Sequence, residues 1–161
     1  MEEKSFAIIS SSPEETKNFA VEIGRLINSP TLILLKGELG TGKTLMVQGI
    51  AESLGYKSEI TSPTFNIIKE YFADEEIIHM DLYRLNQSEE LLEIGFEDYL
   101  DRDAVILIEW PEIALSLVPA NFIYIEIIKK SNLKRKIIVR GEGESSKQLI
   151  ERLNKNADSW N

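Results

Sequence analysis

The stretch TLILLKGELGTGKT, residues 31–44, decides the fold. Its first six residues are an apolar run too short for a helix, as expected of a strand buried on both faces of a parallel sheet. Its last eight, GELGTGKT, satisfy GxxxxGK[ST] at every fixed position. From Lys43 the pattern turns helical, with Leu45, Val47, Ile50, Ala51 and Leu54 apolar and Gly55 as a stop signal. Strand, glycine-rich turn and helix in that order form a phosphate-binding loop. Gly37, Gly40 and Gly42 let the backbone turn its N–H groups around phosphate oxygens with no Cβ in the way. Lys43 has the reach for β and γ phosphates, Thr44 offers a hydroxyl to Mg²⁺, and the positive end of the helix adds a favourable field. The candidate nucleotide-binding set is Gly37, Glu38, Leu39, Gly40, Thr41, Gly42, Lys43, Thr44 and the adjoining Leu45.

A second run that is apolar throughout, AVILI at 104–108, ends in Glu109. Upstream, residues 5–10 read as a strand. Ser12, Pro13 and Glu15 then make a helix start, with a Ser cap, Pro at the first helical position and Glu closing a capping box. Phe19, Ile23, Leu26 and Ile27 follow at helical spacing. Residues 66–72 and 76–80 read as two strands joined by the turn Ala73, Asp74, Glu75, and 88–100 as a helix broken at Gly95. Residues 122–128 and 133–139 predict a hairpin, and 145–154 a terminal helix. Alternating strands and helices with two fully apolar strands predict one α/β domain over residues 1–161. Its sheet is largely parallel, flanked by helices and closed by a C-terminal hairpin, with ligands beyond the carboxyl ends of the strands.

Two acids close strands and are candidate catalytic groups, Asp81 after 77–80 and Glu109 after AVILI. Nucleotide-bound Mg²⁺ takes one or two protein oxygens beyond the phosphates. Glu109, on the more apolar strand, is assigned to the metal with Thr44, directly or through water, and to orienting the attacking water. Asp81 is assigned to a metal-bound water or to Thr44, and the two roles are interchangeable on sequence alone. The segment TSPTF, residues 61–65, lies where a loop sensing the γ phosphate belongs, with the Thr64 hydroxyl directed at metal or phosphate; an ordinary surface turn fits it as well. His79, the single histidine, alternates with Ile78 and Met80 and reads as structural. Trp110 is either a core aromatic or a platform at the site edge.

The charge balance, 18 Lys and Arg against 27 Asp and Glu for a net −9, disfavours unaided binding to a phosphate backbone, which depends on clustered cations. Zero cysteines exclude disulfides, thiolate metal sites and thiol nucleophiles, and leave oxygen ligands for any metal. No window reaches the roughly 18 apolar residues of a membrane helix, and no basic segment precedes a long apolar stretch near the start. The expectation is a soluble cytoplasmic protein. Five cations in KKSNLKRK, residues 129–136, suit an edge hairpin protected against sheet aggregation, or a phosphate or partner contact.

Taken together, GELGTGKT, TSPTF, HMDLYRL at 79–85 and LIEWPE at 107–112 resemble the bacterial TsaE family, small ATPases of tRNA threonylcarbamoyladenosine biosynthesis. The resemblance covers nearly the whole chain. It implies an atypical phosphate-loop fold, ATP with Mg²⁺, and weak hydrolysis that matters within a complex with the transferase subunit TsaD and its companion TsaB. By the same resemblance Lys43 and Thr44 are phosphate and metal contacts, Thr64 is the switch threonine, and Asp81 and Glu109 are the acids of their motifs. By position, Ser12 and Lys134 belong to the N-terminal turn and late hairpin that close the family's nucleotide pocket. An acidic surface fits action on a protein partner, with tRNA engaged only indirectly.

Three rivals make different demands. A small-molecule kinase closes an arginine lid, and the six arginines form no obvious one. A GTP switch needs NKxD, and the nearest text, 154–157, has Ala157 where Asp is required. A nucleotide-clamped binding module would never turn over.

Overall fold

The two runs that are apolar throughout lie side by side and parallel. They are β2 (Thr31–Lys36) and β5 (Val105–Glu109), in register Leu32↔Ile106 through Leu35↔Glu109. The computed structural model describes residues 5–63 and 66–156. Outside β5 lies β4 (Glu76–Asp81), and outside β2 lies β6 (Phe122–Lys129), both parallel to the central pair. Three strands then attach antiparallel: β3 (Ile68–Phe72) on β4, β7 (Arg135–Glu142) on β6, and β1 (Ser5–Ser10) on β7. The order is β1-β7-β6-β2-β5-β4-β3, and five of the seven strands run in one direction. The largely parallel α/β sheet with a closing hairpin is therefore observed, and the hairpin is β6–β7.

Alternation along the strands feeds two cores. Ile33, Leu35, Ile77, Val105, Leu107, Ile125 and Val139 face α1 (Pro13–Arg25), α2 (Lys43–Ser53) and α5 (Glu144–Lys155) through Phe19, Ile23, Met46, Ile50, Ile150 and Leu153. Leu32, Leu34, Ile78, Met80, Ile106 and Ile108 face the opposite side, under Leu91 of α3 (Glu89–Glu93), Phe96 of α4 (Phe96–Leu100) and Ala114. Strands covered on both faces need no polar alternation, which is why 31–36 and 104–108 read as continuous apolar runs. Gly95, at φ +75°, breaks the helical stretch into α3 and α4.

The start of α1 forms as its residues dictate. Ser12 Oγ accepts from the N–H of Glu15 at 3.1 Å, and Pro13 occupies the first turn. The Glu15 carboxylate reaches one residue further back than a simple capping box requires and takes the N–H of Ser11 at 2.6 Å. Ser10 Oγ then bonds Ser12 O at 2.8 Å and Thr16 Oγ1 at 2.7 Å, which fixes the bend between β1 and α1. Helices α1 and α2 pack at close range through glycines. A Cβ on Gly49 would stand 2.6 Å from Ala20 Cβ and 2.7 Å from Lys17 O, and one on Gly24 would stand 2.9 Å from Ile50 O. That close approach holds α2, and hence the loop before it, against the first helix.

Candidate functional site

Beyond the carboxyl end of β2 the chain enters the loop 37–42 and emerges as α2. Gly40 and Gly42 take φ of +76° and +111°, a left-handed region where a Cβ is strained. A Cβ on Gly37 would meet Thr41 Oγ1 at 2.5 Å and Ile127 O at 2.9 Å, so this position is glycine for want of space. Gly42 caps α2 with no side-chain hydrogen bond, leaving the first-turn N–H groups of an 11-residue helix for an outside acceptor. Leu39 is 69% exposed at the crest of the loop. The Thr41 hydroxyl donates to Glu38 O at 3.0 Å and braces the turn.

Lys43 is buried, and its Nζ donates to Gly37 O at 2.6 Å and Glu38 O at 2.9 Å, beneath the Trp110 ring at 4.3 Å. Burial pushes its ammonium below the usual lysine value, against the opposing pull of Glu109, Asp81, Glu112 and Glu38. A lysine held over its own loop carbonyls can exchange those acceptors for the oxygens of an anionic ligand, while the carboxylates nearby favour an anion that brings a cation with it. Trp110 holds φ +56°, uncommon for a bulky residue, and its ring lies 4.9 Å from that of Tyr83. It is a half-buried platform at the edge of the site.

Asp81 and Glu109 are register partners at the carboxyl ends of β4 and β5, so their side chains share a sheet face. Thr44 Oγ1 stands 3.4 Å and 3.5 Å from the two Glu109 oxygens. Asp81 is engaged by Ser62 Oγ at 2.8 Å and by the N–H of Tyr83 at 3.0 Å. Ser62 ties the segment 61–63 to this acid, and Gln48 Nε2 of α2 ties the preceding Ile60 O at 2.8 Å. Thr64 lies outside the described residues. His79 is fully buried, and its Nε2 lies 2.6 Å from Glu109 Oε2. The structural reading of His79 understates it, because its partner is the acid next to Thr44. Period-two alternation placed it on the right strand, but the contact to Glu109 depends on β4 and β5 being neighbours, which no local pattern reveals.

A recess of about 190 Å³ opens on the other flank of the loop. Ser12, Pro13 and Thr16 form one wall, Gly40, Thr41, Gly42 and Leu45 the floor, and Asn132, Leu133 and Arg135 the opposite wall. Ser12 is thus brought to the loop. Lys134 sits within the hairpin turn, closing it through its N–H to Ser131 Oγ at 3.1 Å. The side chain that crosses from this turn to the loop is Arg135, which sequence patterning grouped with the surface cations. A larger cavity than this recess, about 690 Å³ between Lys17, Gln48, Glu52 and Tyr56, contains no loop residue and no strand-end acid, so volume does not mark the site.

Among the described residues no group of three or more His, Cys, Asp or Glu side chains forms a metal cluster. The donors near Thr44 suit a cation that arrives with phosphate ligands of its own.

A family model described as "Threonylcarbamoyl adenosine biosynthesis protein TsaE" matches residues 10–137. The protein named tRNA threonylcarbamoyladenosine biosynthesis protein TsaE in Treponema pallidum is 34% identical over 131 residues, 81% of this chain and 97% of that one. The protein of the same name in Bacillus subtilis is 33% identical over 145 residues, 89% of this chain and 90% of that one. The crystal structure of Bacillus subtilis YdiB matches with a TM-score of 0.81 at 30% identity, covering 98% of this chain and 99% of that one.

Proposed function

The chain belongs to the TsaE family of tRNA threonylcarbamoyladenosine biosynthesis, and on that premise we propose that it binds ATP with Mg²⁺ on the loop 37–44 and hydrolyses it weakly on behalf of a partner transferase complex, TsaD with TsaB. The observation that carries the reading is the placement of Thr44 Oγ1 within 3.5 Å of the Glu109 carboxylate beside a buried Lys43, at the uncapped end of α2. Mg²⁺, when bound, would supply neutralisation of phosphate charge.

The chain's own residues do the rest. Lys43 exchanges the Gly37 and Glu38 carbonyls for phosphate oxygens, and the first-turn N–H groups of α2 hold the same anion. Thr44 and Glu109 provide the oxygens for the metal. Glu109, fixed by His79, and Asp81, fixed by Ser62, orient the water that attacks the γ phosphorus as the bond to the β-bridging oxygen breaks. Because Ser62 bonds Asp81, a change at the phosphate end is transmitted to the segment 61–63, which serves as the switch that resets the transferase between turnovers. The recess on the far side of the loop receives the nucleoside.

The kinase reading loses ground on the arginines. Arg25 pairs with Glu22, Arg102 with Glu70 and Glu76, and Arg140 with Glu126, all as ion pairs within the fold. No described helix is long and apolar enough to cross a membrane.

Phosphate release from ATP and GTP, each with and without the transferase complex, tests the reading. Release from ATP that requires Mg²⁺, rises with the complex and disappears in Lys43→Ala is the expected result. Absence of any heat on titrating ATP and Mg²⁺ into the protein would overturn it.

A further inference from the structure

We propose that Arg135 is a positioning residue for the nucleoside end of the ligand, locking the β6–β7 turn to the crest of the phosphate loop so that the recess beside the loop exists before binding. The inference rests on the nucleotide-binding reading above and assigns a role to a residue that reading does not use.

The guanidinium of Arg135 is a knot between two loops far apart in the chain. Its Nε donates to Thr41 O at 3.1 Å and its Nη2 to Gly40 O at 3.3 Å, while Nη1 donates to the carbonyls of Ser131 at 2.8 Å, Asn132 at 3.3 Å and Lys134 at 3.1 Å. Five carbonyls thus converge on one planar group whose fork of N–H donors has a fixed geometry. An ammonium lacks that fork and cannot hold both loops at once. Side-chain packing does not hold the crest, because a Cβ on Gly40 would meet no atom within 4 Å, and this residue sits at φ +76°. The loop's own shape is held by Thr41 on Glu38 O and by Lys43 on the Gly37 and Glu38 carbonyls, so the two bonds from Arg135 serve to fix the hairpin turn against it.

The consequence for binding is spatial. Thr41 belongs both to the phosphate loop and to the floor of the recess, and Asn132 and Leu133 form the wall that Arg135 holds upright. At about 190 Å³ the recess is smaller than an ordinary small-molecule pocket, so it takes part of a nucleotide and not the whole. The triphosphate tail faces α2 and Lys43 instead. Loss of the knot releases the wall and leaves the helix end, Lys43 and Thr44 where they are.

Isothermal titration of wild type, Arg135→Ala and Arg135→Lys with ATP and with inorganic tripolyphosphate, both with Mg²⁺, separates the two ends. ATP affinity is expected to fall by about tenfold or more in both variants, the worth of one charge-assisted hydrogen bond. Tripolyphosphate affinity is expected to change by less than about threefold. A residue that merely stabilises the fold would lower both affinities together, and that result overturns the proposal. Unchanged ATP affinity in Arg135→Ala also overturns it while leaving the nucleotide-binding reading intact. Wild type binding neither ligand removes both.

Discussion

His79 and Glu109, on adjacent parallel strands, meet through Nε2 and Oε2 at 2.6 Å with both side chains buried. Nε2 of the imidazole faces the carboxylate, and Nδ1 is a buried nitrogen with no partner among the described residues. The interaction therefore rests on a single hydrogen bond, and each member is costly to leave alone in the interior. Removing the ring should cost about 3 kcal/mol of stability, since it leaves a buried carboxylate with only the long contacts to the Thr44 hydroxyl. Urea unfolding of His79→Ala, Glu109→Ala and the double variant should show a coupling of about 1–3 kcal/mol. Additive losses would show that the two do not act as a pair.

Lys43 makes stability depend on pH in a definite direction. Burial holds its folded-state pKa below the unfolded value of 10.5. Between those two values the unfolded chain binds more protons than the fold, so this group's contribution rises with pH. Below that window the penalty for burying the charge is present in full. Comparing urea unfolding of wild type and Lys43→Met from pH 7 to pH 10.5 should show wild type gaining on the variant as pH rises. A gap that stays flat or moves the other way contradicts the burial argument.

Trp110 reports on Lys43. Its ring lies 4.3 Å from the ammonium, so transfer of Lys43 to a phosphate should change the indole's emission. In a Trp160→Phe background, ATP with Mg²⁺ should shift the intensity or wavelength of the remaining tryptophan. The same addition to Lys43→Met should leave it unchanged, and a response of equal size would place the nucleotide away from this lysine.

Gly49 should resist the usual gain from alanine. In an open helix the change favours folding by about 1 kcal/mol, but here the new methyl would meet Ala20 Cβ at 2.6 Å and Lys17 O at 2.7 Å. Overpacking of this kind costs about 1–3 kcal/mol, so the urea midpoint of Gly49→Ala should fall. A raised midpoint would mean that α1 and α2 separate easily.

What could be read in advance was local. The cap at Ser12 and Pro13, the break at Gly95, the two strands 31–36 and 104–108 and the loop at 37–44 each announce themselves within a dozen residues. The parallel neighbour of β2 on its far side, β6, does not, because pairing across some ninety residues leaves no mark in the pattern of either strand. The same holds for side chains. Asp81 and Glu109 were identifiable as strand-end acids, whereas the bonds His79 makes to Glu109 and Ser62 to Asp81 required the strand order and the path of 60–63. Arg135 was hidden for another reason. Among five cations in eight residues nothing marks one as turned inward, and only the three-dimensional course of the hairpin turn does so.

The pairing of β1 with β7 has a consequence for how the protein comes into being. The two walls of the recess lie more than a hundred residues apart in the chain, so a nascent chain still lacking residues 131–135 has a phosphate loop without its opposite bank. Ligand capture should therefore wait until the hairpin has cleared the ribosome, and a protease cutting between these banks would sever them while leaving Lys43 and Thr44 untouched.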